Sequence, residues 1–256
     1  MKLDHITSRD NPALVRLRKL TVDASGYRKI GSVWIEGDHL LRAALQRGWQ
    51  PALVVLTEAA MQDATLAALA ESALRALVVP TALFKGLSGL ESPAQIGAEL
   101  TLPAAPAIDA NAASVVLDRL QDAGNVGAIL RSAAAFGVSQ VLAIKGTAAL
   151  WSPKVVRAGQ GAHFGLRLIE GLAEADLQAL SVPLVATSSH DSEPLHRAAL
   201  PSPCAWVMGH EGQGVSAELM ARCALRVGIP QPGGEESLNV AAAAAICLYE
   251  SERRKG

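Results

Sequence analysis

Apolar positions along the first hundred residues follow two periods in turn. Residues 12–20, 38–48 and 63–74 carry them at helical spacing, whereas 33–36, 52–57 and 77–80 are short apolar or β-branched runs of the strand kind. That alternation predicts a small α/β domain over residues 1–101. The next stretch, TLPAAPAIDANAA, is rich in Pro and Ala, carries one charge and fits neither period, so residues 102–113 are read as a linker. From residue 114 onward, strand-like runs at 114–117, 141–144, 166–169, 184–186, 205–208 and 226–229 recur with helical stretches between them. This succession predicts a mainly parallel sheet flanked by helices over residues 114–256. Ligands of such sheets bind at the carboxyl ends of the strands, which points to the loops after Leu117, Met208 and Ile229.

Half of the 256 residues are hydrophobic and 18% are charged, which supplies apolar material for two cores and too little charge for disorder. Lys2 and Asp4 stand where a signal peptide needs an apolar run, and no uncharged apolar stretch of about 18 residues follows. A soluble, cytoplasmic protein with no membrane partner is expected. Cys204, Cys223 and Cys247 sit among apolar neighbours without C-x-x-C spacing, so buried free thiols are expected rather than a disulfide or a metal site. The net charge of −1 excludes a generally basic nucleic-acid binder, but residues 1–50 hold nine Lys and Arg against five Asp and Glu. That +4 leaves −5 for the remainder, so any phosphate contact is expected from local patches, the N-terminal region first.

Three segments carry candidate chemistry. In DRLQDAGNVGAILRSA, beginning at Asp118, Asn125 is suited to cap a helix from which Arg131 projects; a capped helix with a solvated arginine is the other reading. In VMGHEGQGV, beginning at Val207, three glycines fall within six residues, which suits a loop wrapping a ligand. Their order is G-x-x-G-x-G and not the dinucleotide G-x-G-x-x-G, which counts against a nicotinamide-dependent dehydrogenase. A plain tight turn is the alternative, and Glu211 embedded in it argues for a hydrogen-bonding task. In IPQPGGEESLNV, beginning at Ile229, Pro-Gly-Gly forces a turn, Glu235 and Glu236 favour a positive helix end, and Ser237 is a natural cap for an apolar helix over 238–254. Each feature has a structural explanation; the set together, on three strand-end loops of one sheet, does not.

The three segments resemble the motifs of the SpoU/TrmH family of the SPOUT methyltransferases. The family's D-x-x-N-x-G-x-I-x-R-x-A falls on Asp122, Asn125, Gly127, Ile129, Arg131 and Ala133, with Ala123 where many members have Pro. Its G-x-E-x-x-G falls on Gly209, Glu211 and Gly214, and its I-P-x-x-G-x-x-x-S-L-N-V on Ile229, Pro230, Gly233, Ser237, Leu238, Asn239 and Val240, with Gln231 where Met is usual. Ser152, Pro153, Lys154, Arg157 and Ala158 resemble a further S-P-K-x-x-R-A helix. Upstream, the stretch from Thr7 to Pro12 and the run Ile35, Glu36, Gly37 resemble the ribosomal-protein-like substrate-binding domain of many members.

The resemblance implies an α/β protein with a C-terminal trefoil-knotted methyltransferase domain and a small N-terminal α/β ribosomal-protein-like domain. It implies transfer of a methyl group from S-adenosyl-L-methionine to a ribose 2′-hydroxyl, of ribosomal RNA first; transfer RNA, an antibiotic-resistance modification and a catalytically silent RNA-binding module are the alternatives. It implies a homodimer. The cofactor is expected near Met208, Gly209, Gly214, Ile229, Pro230, Ser237 and Leu238, and catalysis from Arg131, Asn125, Glu211, Ser237 and Asn239. Arg131 is better suited to clamp a phosphate and stabilise alkoxide charge than to act as a base, since a guanidinium pKa lies above about 12. RNA contacts are expected from Arg9, Arg16, Arg18, Lys19, Lys154 and Arg157, and no metal is needed because the sulfonium already activates the methyl group. For Trp151, stacking on a base stands beside a core or dimer contact. His210 is read as either an RNA contact or a solvated loop residue, and His190 with Asp191 as a surface turn.

Overall fold

The computed structural model describes residues 2–188, 192–233 and 237–255. The chain divides into two compact units, Met1–Ala104 with Trp151–Phe164, and Ala105–Leu150 with Gly165–Gly256.

The first unit is built on a five-stranded mixed sheet of β1 (Lys2–His5), β2 (Ser32–Glu36), β3 (Pro51–Thr57), β4 (Arg75–Val79) and β5 (Ile96–Thr101), in the order β1-β4-β3-β5-β2. β1, β4 and β3 run parallel, and β5 is antiparallel to both β3 and β2. Around it lie α1 (Pro12–Val22), α2 (Gly26–Ile30), α3 (Asp38–Gln46), α4 (Glu58–Met61), α5 (Ala64–Ala70) and α6 (Thr81–Lys85). α1 starts where the Asn11 side chain accepts from the Ala13 amide, with Pro12 in the first turn, and it buries Leu14, Leu17 and Leu20 on one face. β1 and β5 have no counterpart in the apolar pattern: β1 is a mostly exposed, charged edge strand, and β5 carries Gly97 and Glu99. Both exceptions in β5 have a cause in packing. A Cβ on Gly97 would meet the Trp34 ring at 2.3 Å. Glu99, buried, is held by Arg16 at 2.6 Å and by the Ser32 hydroxyl at 2.7 Å.

Among its described residues the second unit contains seven strands: β6 (Ser114–Leu117), β7 (Gln140–Ile144), β8 (Arg167–Leu172), β9 (Leu184–Thr187), β10 (Glu193–Pro194), β11 (Ala205–Met208) and β12 (Leu225–Gly228). Their order is β10-β12-β9-β11-β6-β7-β8, and every described pairing is parallel. The main helices are α7 (Ala123–Ala135), α9 (Ala217–Arg222) and α10 (Val240–Arg253); α8 (Pro153–Gly159) belongs to the first unit. Strands such as β6 and β11 are buried throughout, as apolar runs of a parallel sheet should be. Val116, Leu142, Ile169, Leu184 and Val207 form part of one core cluster. Because Leu117 and Met208 are register partners in parallel strands, the loops after them leave the sheet side by side. No helix among the described residues is long and apolar enough to cross a membrane.

Candidate functional site

After β6 the chain turns into α7, whose cap is Asp122 and not Asn125 as the sequence suggested. The Asp122 carboxylate accepts from the Asn125 amide at 2.7 Å, which places Asn125 inside the first turn. Either Asx residue can cap a helix, and the earlier one takes the role here. The Asn125 side chain is thereby left available for longer-range contacts. Its Nδ2 donates to Glu211 Oε1 at 3.2 Å, and its Oδ1 accepts from Asn239 Nδ2 at 2.9 Å.

Glu211 gathers more donors from the same segment. Oε1 accepts from the Asp122 amide at 3.1 Å and Oε2 from the Gln121 amide at 3.3 Å. Burial pushes its pKa up, but hydrogen bonds from its own amide, the Asp122 amide, Asn125 and the Gln121 amide outweigh that and hold it below the usual carboxylate value.

Asn239, not Ser237, caps α10: its Oδ1 accepts from the amides of Ala241 at 2.9 Å and Ala242 at 3.2 Å. The cap fixes which end of this amide is oxygen, so Nδ2 must face Asn125. Asn125 must then present its oxygen to Asn239 and its nitrogen to Glu211, an anion that only accepts. The direction of each hydrogen bond in Asn239–Asn125–Glu211 is therefore set by backbone amides at one end and a carboxylate at the other. One residue from each of the three sequence motifs takes part.

Beside this chain lies a cavity of about 680 Å³ whose lining includes Gly209, Gly214, Ile229, Ser237, Leu238 and Asn239. Its volume falls within the roughly 300–1,000 Å³ typical of small-molecule clefts. Gly209 is required by close approach, since a Cβ there would lie 2.2 Å from the Gly214 carbonyl carbon and the Val215 nitrogen. The loop closes through reciprocal backbone bonds between His210 and Gly214, at 3.0 and 2.8 Å. His210 Nδ1 accepts from the amides of Gly212 and Gln213, so the ring serves the turn. Met208 and Pro230 adjoin this lining in sequence without contributing to it.

Arg131 lies in α7, exposed, and its side chain has no hydrogen bond or ion pair to another described residue. The six residues expected at RNA all lie in the first unit. Three are already engaged: Arg16 with Glu99, Arg18 with the Arg9 carbonyl at 2.5 Å, and Arg157 with the Gly89 carbonyl at 2.8 Å. The side chains of Arg9, Lys19 and Lys154 are solvent-accessible and have no such partner among the described residues. Trp151 packs its ring 5.7 Å from Trp49 and 5.0 Å from His163, inside an aromatic cluster. His190, Asp191, Glu235 and Glu236 lie outside the described residues. No group of three or more His, Cys, Asp or Glu among the described residues could hold a metal ion.

Asp118, Arg119, Gln213 and Ser216 also build the site, although none of them stands at a motif position. Asp118 is fully buried, paired with Arg119 at 2.7 Å, and accepts from the Ser216 amide at 2.7 Å. An acid directly after an apolar strand was the available signal, since such a position is buried unless the chain turns outward at once.

The model of the SpoU rRNA methylase family matches residues 112–249. An uncharacterized tRNA/rRNA methyltransferase of Synechocystis sp. is 33% identical over 98% of this chain and 94% of its own length. The 23S rRNA (guanosine(2553)-2′-O)-methyltransferase RlmP of Bacillus subtilis is 31% identical over 86% of this chain and 88% of its own. Among solved structures, an AdoMet-bound rRNA methyltransferase from Sinorhizobium meliloti superposes with a TM-score of 0.85 at 27% identity, covering 98% of each chain. The chain belongs to the SpoU rRNA methylase family.

Proposed function

We propose that the protein transfers the methyl group of S-adenosylmethionine to a ribose 2′-hydroxyl of ribosomal RNA and, its substrate being ribosomal, works in the cytoplasm. The observation that carries this reading is the hydrogen-bonded chain Asn239–Asn125–Glu211 beside a cavity lined by the glycine loop, in a member of this family. The choice of ribosomal RNA and of the 2′-oxygen is supported by what the Bacillus subtilis relative's name says of that protein.

The cavity fits the cofactor: the main chain at Gly209 and Gly214 leaves room for close approach, and Val227, Ile229 and Leu238 give an apolar lining for an adenine. When bound, S-adenosylmethionine supplies a methyl group already activated on a sulfonium. Gly209, Gly214, Ile229 and Leu238, flanked by Met208 and Pro230, hold it, and Ser237 at the rim orients the ribose of cofactor or substrate. Asn125, Glu211 and Asn239 fix the loops against each other. Arg131 clamps the phosphate beside the target ribose and stabilises the developing alkoxide, while the proton leaves to water or phosphate. Arg9, Lys19 and Lys154 attract the RNA backbone, and Arg16, Arg18 and Arg157, each already engaged within the first unit, add to its positive charge.

The same reading divides the chain into a ribosomal-protein-like recruiting domain over 1–101, a linker over 102–113 and a trefoil-knotted catalytic domain over 114–256, although residues 151–164 of that span belong to the first compact unit. It also makes the active species a homodimer. Ile246 and Tyr249, 40% and 55% exposed on α10, support an apolar contact there. The test is incubation of purified protein and S-adenosylmethionine with ribosomal RNA from a strain lacking the gene, followed by nucleoside mass spectrometry. A 2′-O-methylated nucleotide that resists alkaline cleavage is expected. A base-methylated nucleoside, or methylation of transfer RNA alone, would overturn the reading.

A further inference from the structure

We propose that Arg119 is a positioning residue that holds the glycine loop over residues 209–214 in its ligand-ready shape by gripping Gln213. The inference rests on the cavity being the S-adenosylmethionine site.

Arg119 follows β6 after a single residue and holds φ at 59°, a left-handed conformation that a non-glycine residue keeps only when its surroundings over-determine it. They do. Its guanidinium lies against Asp118, Nε on Oδ1 at 2.7 Å and Nη2 on Oδ2 at 3.2 Å, and Asp118 is fully buried. Gly146 makes room, since a Cβ there would sit 3.3 Å from Arg119 Cγ. With Nε and Nη2 spent on Asp118, Nη1 is aimed by rigid geometry, and it donates to Gln213 Oε1 at 3.2 Å. A guanidinium has only donors, so Gln213 must present its oxygen. The hydrogen bonds to Asp118 raise the Arg119 pKa further, so the grip stays cationic across the working range.

The loop and the residues just after it are thereby held at three points by the segment after β6: Glu211 by Gln121, Asp122 and Asn125, Ser216 by Asp118, and Gln213 between them by Arg119. The first two holds are made largely by backbone groups or buried acid. The third joins two side chains, and Gln213 is exposed, so the fold does not depend on it. What does depend on it is the shape of Gln213, Gly214 and Val215, all of which line the cavity. A loop set before the ligand arrives spares the cost of ordering it on binding.

The experiment is calorimetry of the full-length protein with S-adenosylhomocysteine, alongside thermal melting. Gln213→Met removes the acceptor and is expected to weaken binding about three- to ten-fold, the range of one hydrogen bond, with an unchanged Tm. Gln213→Glu keeps an acceptor for Nη1 and should restore the affinity. Arg119→Lys leaves a cation beside Asp118 but removes the aimed Nη1, and the double variant Arg119→Lys, Gln213→Met should bind no more weakly than the weaker single. Gln213→Met binding like the wild type, or full additivity in the double variant, would overturn the role of Arg119 alone. A wild-type protein that does not bind S-adenosylhomocysteine would overturn the functional reading beneath it.

Discussion

Asn239 donates its side-chain amide to the side-chain oxygen of Asn125 at 2.9 Å, joining residues 114 positions apart in the sequence. The same Asn239 caps α10 through its oxygen, so one side chain starts a helix and fixes the orientation of the next residue in the hydrogen-bonded chain.

Those two tasks separate in Asn239→Asp. An aspartate caps a helix as well as asparagine does, but its second oxygen cannot donate to Asn125. Asn125 must then either face a carboxylate with its oxygen or turn over and do the same to Glu211. The variant should keep the wild-type helical signal in circular dichroism while methyl transfer falls by about one to two orders of magnitude, the scale of a hydrogen bond to a charged group. Wild-type turnover would show that the orientation of Asn125 does not matter.

The sequence carried much of this site because each motif had an oddity that local structure did not require. Glu211 in a glycine loop is one; its carboxylate does have a hydrogen-bonding task, taken up by a segment about ninety residues away. What stayed hidden depended on distance in space. Asp122 and Asn125 are both good caps, and only the helix start decides between them. Asp118 and Arg119 read as ordinary loop charges until Asp118 is seen to be buried. β5 breaks the apolar alternation with Gly97 and Glu99, whose reasons are the Trp34 ring and the Arg16 guanidinium. α8 is flanked in sequence by strands of the second unit yet packs in the first, which no local pattern encodes.

Arg131 is exposed and unengaged among the described residues, so its removal leaves no buried group without a partner. Arg131→Ala is therefore expected to melt like the wild type and to bind S-adenosylhomocysteine with nearly unchanged affinity. Its turnover should fall by at least about a hundredfold, as removal of a charge stabiliser at a reacting oxygen does. Near-normal single-turnover rates would remove Arg131 from the mechanism.

The thiols give a pH signature. Burial pushes Cys204 and Cys223 up to about 11 and Cys247 up to about 12. A thiol whose folded pKa lies above its unfolded value costs the fold nothing while both states stay protonated; above the unfolded value, near pH 9, the unfolded chain sheds its proton first and is favoured by doing so. Denaturant midpoints should therefore decline between pH 9 and 12. At pH 8 the native protein should react slowly with dithionitrobenzoate, and all three cysteines should react quickly once it is unfolded. Cys223 is only half-buried, so rapid labelling of Cys204 or Cys247 in the native protein is what would contradict their burial.

The basic residues of the first unit can be sorted by what they already hold. Arg16 neutralises the buried Glu99, so Arg16→Ala would leave an unpaired buried carboxylate and lower stability whatever it does to RNA. Deleting residues 1–101 is no cleaner, because Val155 and Val156 of α8 are buried in the same unit and would lose their cover. Arg9, Lys19 and Lys154 are solvent-accessible with no side-chain partner among the described residues, so their charges are removable without that penalty. In the triple variant with Ala at all three, Tm and S-adenosylhomocysteine affinity should match the wild type. Binding to transcribed large-subunit ribosomal RNA should weaken, and the slope of log affinity against log salt should flatten by about one unit for each phosphate that is no longer neutralised. A salt slope equal to that of the wild type would show that this surface does not meet the phosphate backbone, and the RNA-binding face would then have to be sought on the second unit.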